Sequence, residues 1–472
     1  MLYGQRTPTD SHIFVQTEDD MTPTNQAASL ERHHLHRNAS IDDAHAGGKH
    51  IVLTTYGSLG DLHPYMAVAL ELKARGHRAV IATTDYYREK VEAAGIEFHA
   101  VRPDLPPLVD VPELVAKIMD VKTGGEFLIK ELLMPHVRDS YEDLSLATRR
   151  ADLLLTHVAT FAGPIVAQVS GIPWISSVLA PLSFFSADDP IVPPPAPGIT
   201  RLLRLHPSIA RKFNGYMKRA TASWIENVYQ LRSELGLPRG EHPLFEGQHS
   251  PTMVLAMFSK ALGQTQPDWP RQTTITGFPF YDRKDETGMS PALERFLDDG
   301  EPPIVFTLGS SAIYVAKDFY QQSIAAARQL KRRAVLLIGD PVNLPAEPLP
   351  ASIIAFEYAP FGQILPRAAA IVHQGGVGTS GQAMRAGVPE LVVPFNHDQP
   401  DNAMRIARLG IGRSLARRKY KARKVAAELD ELLSKAGYAR KAAEVGRIVS
   451  AEDGARAAAD AIETVLKNVS SV

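Results

Sequence analysis

The sequence predicts an α/β protein made of two doubly wound, Rossmann-like halves that face each other across a cleft. Short apolar strands alternate with helices from His50 onward, as HIVLTTYG, LHPYMAVALELKARGH, RAVIATT, YYREKVEAAG and IEFHAV. That order implies a parallel sheet covered by helices on both faces. The alternation restarts at PPIVFTLGSS and runs through AVLLIGD, SIIAFEYAP, AAIVHQGG and ELVVPF, after the polar stretch YDRKDETGMSP at 281–291. At 472 residues the chain has room for two such units, since domains usually take about 100–200 residues each.

The expected boundaries are 49–284 for the first domain and 285–472 for the second. Residues 1–48 are polar and patternless, with HHLH at 33–36, and are expected to form a disordered tail outside the fold. In the first domain DLLLTHV and WISSVLA read as further strands, and about Ile199 to Leu235 as a helical region. The Ala-rich segment at about 451–468 reads as a last helix able to pack back on the first domain.

Composition narrows the partners. With 51 basic against 52 acidic side chains, nothing global attracts nucleic acid, and a small-molecule partner is expected. The absence of cysteine excludes thiolate nucleophiles and Cys-based metal sites. The start, MLYGQRTPTDSHIF, lacks an apolar run behind a basic end and is not read as a secretory signal, so the cytoplasm is the simplest compartment. From Leu153 to Ala187 there is no charged side chain, but Gly163-Pro164, Gly171, Pro173 and Pro181 interrupt the run. It reads as buried strand, helix and strand, or as an apolar cleft wall, more readily than as a membrane span; a peripheral membrane contact stays open. The loop that follows, PLSFFSADDPIVPPPAPG at 181–198, has six prolines in eighteen residues and is too long for a mere connector.

Ligands of open parallel sheets bind beyond the carboxyl ends of the strands. The loops there are GSLGDLHP, TLGSSA and HQGGVGTSGQA. The first strand–helix turn, where Gly57 and Gly60 stand three apart, carries no GxGxxG dinucleotide fingerprint, nor is there a GxxxxGK[ST] phosphate loop in the chain. HQGGVGT does offer small residues followed by a helix start at Thr379-Ser380, where backbone N–H groups and the helix dipole can hold a diphosphate without a lysine. The same glycines would equally permit close packing of helix on sheet.

The run VHQGGVGTSGQAMRAGVPELVVPFNHDQPDNA, Val372 to Ala403, resembles the donor-binding signature of glycosyltransferase family one, the UDP-glycosyltransferase-like enzymes of the GT-B fold. It is especially similar to the bacterial branch acting on antibiotics, sterols, flavonoids and lipid hydroxy acids. TTYGSLGDLHP resembles that branch's GSxGDxxP opening, and the likeness covers about residues 50–470. The resemblance implies an inverting, metal-independent O-glycosyltransferase that moves a hexose from a UDP-sugar, or from dTDP-rhamnose, to a hydroxyl of an apolar acceptor. The nucleotide sugar is then a cosubstrate and no cofactor is needed. No DxD occurs in the chain, which removes the usual carboxylate bridge for a metal on the diphosphate.

By the same resemblance Asp61 is the candidate base, with His63 the alternative; Asp61 stands ahead of the helix beginning LHPYM and could also be its N-cap. Gly60, Gly309, Ser310, His373, Gly375, Gly376, Gly378 and Thr379 are the candidate diphosphate cradle, with His373 able to add a donor. Asp398 and Gln399 match the family's DQ pair on the donor sugar, or else Asp398 only caps a helix. Tyr358 matches the aromatic that stacks on the base, in a position otherwise ordinary for core. Gln382 stands where many members have a ribose-binding Glu, which leaves UDP and dTDP both open. His157, Phe161, Phe184 and Phe185 follow strands in the uncharged region and are the candidate acceptor wall. A nucleotide-sugar 2-epimerase of the same architecture and a non-catalytic nucleotide-sugar-binding protein are the competing readings.

Overall fold

The computed structural model describes residues 48–469 apart from 105, 107–110, 283–287 and 345–346. The expected tail, and the expected boundary at 284/285, lie outside the described residues. The first sheet holds β1 (His50–Thr54), β2 (Arg78–Thr83), β3 (Glu97–Ala100), β4 (Leu153–His157), β5 (Trp174–Val178), β6 (Val254–Ala256) and β7 (Thr273–Ile275). The second holds β8 (Ile304–Thr307), β9 (Ala334–Leu337), β10 (Ile353–Phe356), β11 (Ala370–His373), β12 (Glu390–Val392) and β13 (Gly412–Ser414). All pairings are parallel, in the orders β3-β2-β1-β4-β5-β6-β7 and β10-β9-β8-β11-β12-β13.

Six helices place the site: α1 (Leu59–Ala74), α2 (Pro112–Ile118), α3 (Pro207–Thr221), α4 (Val377–Ala386), α5 (Gln399–Leu409) and α6 (Gly454–Val469). The central strands are apolar throughout because helices cover both faces: β4 and β5 are buried at every position. The uncharged 153–187 run is therefore strand, helix and strand in the core. Among the described residues no helix is long and apolar enough to cross a membrane.

The two halves share side chains. Ala458, Ile462 and Val465 recur at helical spacing on one face of α6 and pack with Leu62, Met66 and Leu72 of α1, so the last helix completes the first sheet's core. Arg75 Nη1 to Asp460 Oδ1 (2.6 Å) and His77 Nε2 to Glu463 Oε1 (3.2 Å) flank that packing. In the other direction, Val115 of α2 and Met119 insert among Phe306, Leu308 and Phe395 of the second half.

Strand order locates the crevices. β1 lies between β2 and β4, and β8 between β9 and β11, so the chain leaves the sheet in opposite directions after each neighbouring pair. The loops after β1 and β4, and those after β8 and β11, must diverge there and leave room for ligands.

Candidate active site

At the first crevice, Ser58 caps α1 and Asp61 lies inside its first turn. The expected helix start at LHPYM, Leu62, is three residues too late, because Ser58 and Asp61 form a capping box that carries the helix back to Leu59. Asp61 Oδ2 accepts from the Ser58 N–H (2.7 Å) and Oγ (3.2 Å). The Gly60 N–H is bonded to the Ser58 hydroxyl (3.2 Å), so Gly60 serves this turn. Asp61 Oδ1 faces His157 Nε2, at the end of β4, across 3.8 Å. Capping thus occupies one carboxylate oxygen and leaves the other turned toward the crevice.

His157 is only 7% exposed. Burial pushes its imidazole below the ordinary range, opposed by the nearby Asp61 side chain. His63 is two residues further along α1, and its ring packs toward Tyr281 (centroids 5.1 Å). The structure sets Asp61 opposite His157 and turns His63 toward the 276–282 segment instead.

At the second crevice, the loop after β8 meets the glycine-rich loop after β11. Gly309 has φ +65°, and a Cβ on it would overlap Gln374 Nε2. Gly375 has φ +90°, and a Cβ there would lie 2.6 Å from Val392 Cγ1. Both glycines are needed where they stand, one for close approach across the crevice and one for packing. Gly376 is the N-cap of α4 and no side chain caps the helix, so its first-turn donors are left for a ligand. A Cβ on Gly378 would meet nothing within 4 Å, so this glycine borders open space. Thr379 is buried behind the loop, Ser310 half-buried in front of it.

His373 is placed differently from its expected role as a diphosphate donor. Its ring is fully buried, with Nε2 2.8 Å from Glu390 Oε2 and Nδ1 accepting from the Gly375 N–H (3.1 Å). Both nitrogens are spent on the protein, so the ring shapes the loop from below. Glu390, the lone carboxylate opening the apolar run ELVVPF, is that partner, and burial pushes its carboxyl up. Gln374 was also missed. It is 4% exposed, reaches Thr379 Oγ1 (3.5 Å) by Nε2, and leaves Oε1 buried with no hydrogen-bond partner in the cradle.

The DQ segment closes the space between the crevices. Asn396 Nδ2 donates to Ile118 O (3.3 Å) and Asp120 O (2.8 Å) of the first half. His397 holds φ +56°, unusual for a residue with a side chain. Asp398 is the N-cap residue of α5 yet makes no side-chain cap; its Oδ2 accepts from Asn402 Nδ2 (2.7 Å), which also bonds Gly375 O (2.9 Å). Desolvation, with Asp61 nearby adding to it, pushes the Asp398 carboxyl up to about 7. The side-chain oxygen Oε1 of Gln399 accepts from the N–H groups of Phe395 (2.9 Å) and Asn396 (3.2 Å), so this side chain fixes the loop.

On the donor flank, Tyr358 follows β10 and is 66% exposed, so it is not core. Gln382 does not point at an open site. Its Oε1 accepts from Arg385 Nη2 (2.7 Å) and its Nε2 lies 3.5 Å from Asp282 Oδ1, within an Arg385–Asp282 ion pair.

On the acceptor side a cavity of about 330 Å³ lies wholly in the first half. His157 and Phe161 line it with Trp174, Arg232, Glu246 and His249. Phe184 and Phe185 are not part of its wall. Phe184 is stacked between Trp269 (3.9 Å) and His249 (5.5 Å), and Phe185 packs on Phe245 (4.3 Å), so both belong to the packing behind it. His249 was missed for want of any local motif; burial pushes its imidazole down to about 4.

Comparison with known proteins places the fold and the family. Residues 324–463 match the erythromycin biosynthesis protein CIII-like C-terminal domain, and residues 51–134 the glycosyltransferase family 28 N-terminal domain. O-mycaminosyltylonolide 6-deoxyallosyltransferase of Streptomyces fradiae is 31% identical over 424 residues, covering 88% of this chain and 96% of that one. A sterol 3-beta-glucosyltransferase of Yarrowia lipolytica is 28% identical over 439 residues, 87% of this chain but 28% of that longer protein. Among solved structures, the glycotransferase of kitacinnamycin superposes with TM-score 0.65 at 23% identity, over 89% of this chain and 99% of that one. The spinosyn rhamnosyltransferase SpnG, complexed with thymidine diphosphate, does so with TM-score 0.61 at 17% identity, over 88% and 100%. With its two facing parallel sheets and that identity over nearly the full length of a glycosyltransferase, this chain belongs to glycosyltransferase family one, the UDP-glycosyltransferase-like enzymes of the GT-B fold, and is a hexosyltransferase.

Proposed function

We propose that the protein transfers a hexose, with inversion and without a metal, from a nucleoside diphosphate sugar to a hydroxyl of an apolar small molecule of the antibiotic or sterol kind. The observation that carries this is the Asp61–His157 pair at the end of the acceptor cavity, because His157 both lines the cavity and faces Asp61 Oδ1 across 3.8 Å. An acceptor hydroxyl between them would give its proton to Asp61 as its oxygen attacks the anomeric carbon. The departing diphosphate would be received by the uncapped N–H groups of α4 and by Gln374. Asp398, beside Asp61, is suited to a sugar hydroxyl, being able to donate or accept near neutrality.

For the nucleotide we favour thymidine diphosphate over UDP. Gln382 is a neutral amide already bonded to Arg385, so no carboxylate stands there for a ribose diol. The neighbour of the same fold that holds thymidine diphosphate is in line with this choice.

A thermal-shift panel of UDP-glucose and dTDP-rhamnose separates the donors, since a ligand at about 100 times its Kd stabilises by about 2.7 kcal/mol. Asp61→Asn should keep the donor shift and lose transfer. Donor binding with no turnover by wild type, across a panel of apolar acceptors, would refute the enzymatic assignment of Asp61.

A further inference from the structure

We infer that the outer face of residues 199–221 is a docking surface for an anionic lipid bilayer. Between residues 199 and 225 there is no Asp or Glu, against six basic side chains: Arg201, Arg204, Arg211, Lys212, Lys218 and Arg219. Lys218 is paired with Glu246, and Arg204 donates to Met404 Sδ. Among the described residues Arg201, Arg211, Lys212 and Arg219 make no ion pair or side-chain hydrogen bond. These four charges project into solvent, and nothing among the described residues balances them.

The same face carries apolar side chains that should otherwise be buried. Leu202 is 50%, Leu205 73% and Tyr216 59% exposed. The opposite side, Leu203 and Ala210, packs on Ala187 of the Pro-rich loop, so the orientation of the element is fixed. Lys212, Tyr216 and Arg219 follow one another at i, i+4 and i+7 along α3, a single stripe, with Leu202 and Leu205 just before its start. Cations that flank protruding leucines and a tyrosine match a surface whose headgroups are anionic and whose interior is apolar. A nucleic acid or acidic protein would use the charges and leave the leucines in water.

The docking does not require the glycosyl-transfer reading, though it would bring the Pro-rich loop to the layer where an apolar acceptor dissolves. The full-length protein is sedimented with vesicles of equal parts phosphatidylglycerol and phosphatidylcholine, and with phosphatidylcholine alone. Binding to the first, weakening with salt, and little to the second is expected. Each basic side chain contributes about fivefold to partitioning on an anionic leaflet, so Arg211→Gln/Lys212→Gln/Arg219→Gln should lose on the order of a hundredfold. In Leu205→Trp the added indole emission should shift to the blue only with anionic vesicles. Failure to sediment at low ionic strength, undiminished binding by the triple variant, or displacement by RNA with no blue shift each overturns the proposal. Donor thermal shifts and transfer to a water-soluble acceptor should be unchanged in the triple variant, which separates this result from failure of the enzymatic reading.

Discussion

Asp189 Oδ2 lies 2.5 Å from Arg405 Nη1, an ion pair that bonds the Pro-rich loop of the first domain to α5 of the second. The same guanidinium donates through Nε to Asp401 Oδ2 (2.7 Å), and Asp401 Oδ1 accepts from the Val192 N–H (3.1 Å), so the loop is held at two points. Arg405 is 1% exposed and Asp401 fully buried. Removing one member of a buried ion pair costs about 3–5 kcal/mol because the other charge is stranded. Arg405→Ala is expected to fall in that range by urea denaturation. Asp189→Ala leaves Arg405 paired with Asp401, so it should cost less than Arg405→Ala while raising the acceptor KM through a loosened loop.

Asp61 has two roles that substitution can separate. Asp61→Asn removes the acceptor of the acceptor-proton while an amide oxygen can still cap, so stability should fall by less than about 1 kcal/mol and turnover by about 10²–10⁴-fold. His157→Gln should reduce turnover with the cap intact. Equal loss of activity in His63→Gln, whose ring is turned to Tyr281, would shift the base assignment to His63.

Gly378 gives a test of the donor site free of folding effects. A Cβ there touches nothing, and the residue is in the first turn of α4, so Gly378→Ala should fold with equal or slightly higher stability. It should nonetheless weaken donor binding, because the proposed diphosphate site lies in the open space that the added methyl group enters. Gly309→Ala, by contrast, must lose stability by about 1–3 kcal/mol through its positive φ and the overlap with Gln374.

The raised carboxyl of Asp398 implies a pH dependence of defined sign. Between the unfolded value near 4 and the folded value of about 7, the native state binds the extra proton, so this residue's contribution to stability is present at low pH and is lost as pH rises through 7. Asp398→Asn should remove that fall, seen as a flatter Tm profile between about pH 4 and 8, by up to roughly 2–4 kcal/mol.

Tyr358→Ala should leave Tm unchanged, the ring being 66% exposed, and lower donor affinity about three- to tenfold if it stacks on the base.

The two sheets were legible because a buried parallel strand writes a continuous apolar run and each strand of these halves is followed by a helix. The loops bearing Asp61 and Gly309 were legible for the same reason, since strand ends locate crevices. What stayed hidden depended on pairs far apart in the chain. His373 looks like a ligand donor until Glu390, seventeen residues on, is seen to take its Nε2. Gln382 looks like a ribose contact until Asp282, a hundred residues before it, is placed alongside. Phe184 and Phe185 are adjacent in sequence, yet each is claimed by a separate aromatic partner, Trp269 and Phe245.

The return of α6 to the first domain sets an order on synthesis. Leu62, Met66 and Leu72 are complete on the nascent chain nearly four hundred residues before Ala458, Ile462 and Val465 arrive to cover them. Until the last helix leaves the ribosome, the domain made first carries a bare apolar stripe, the kind of surface on which incomplete chains associate. A first domain made without α6 would leave that stripe to water.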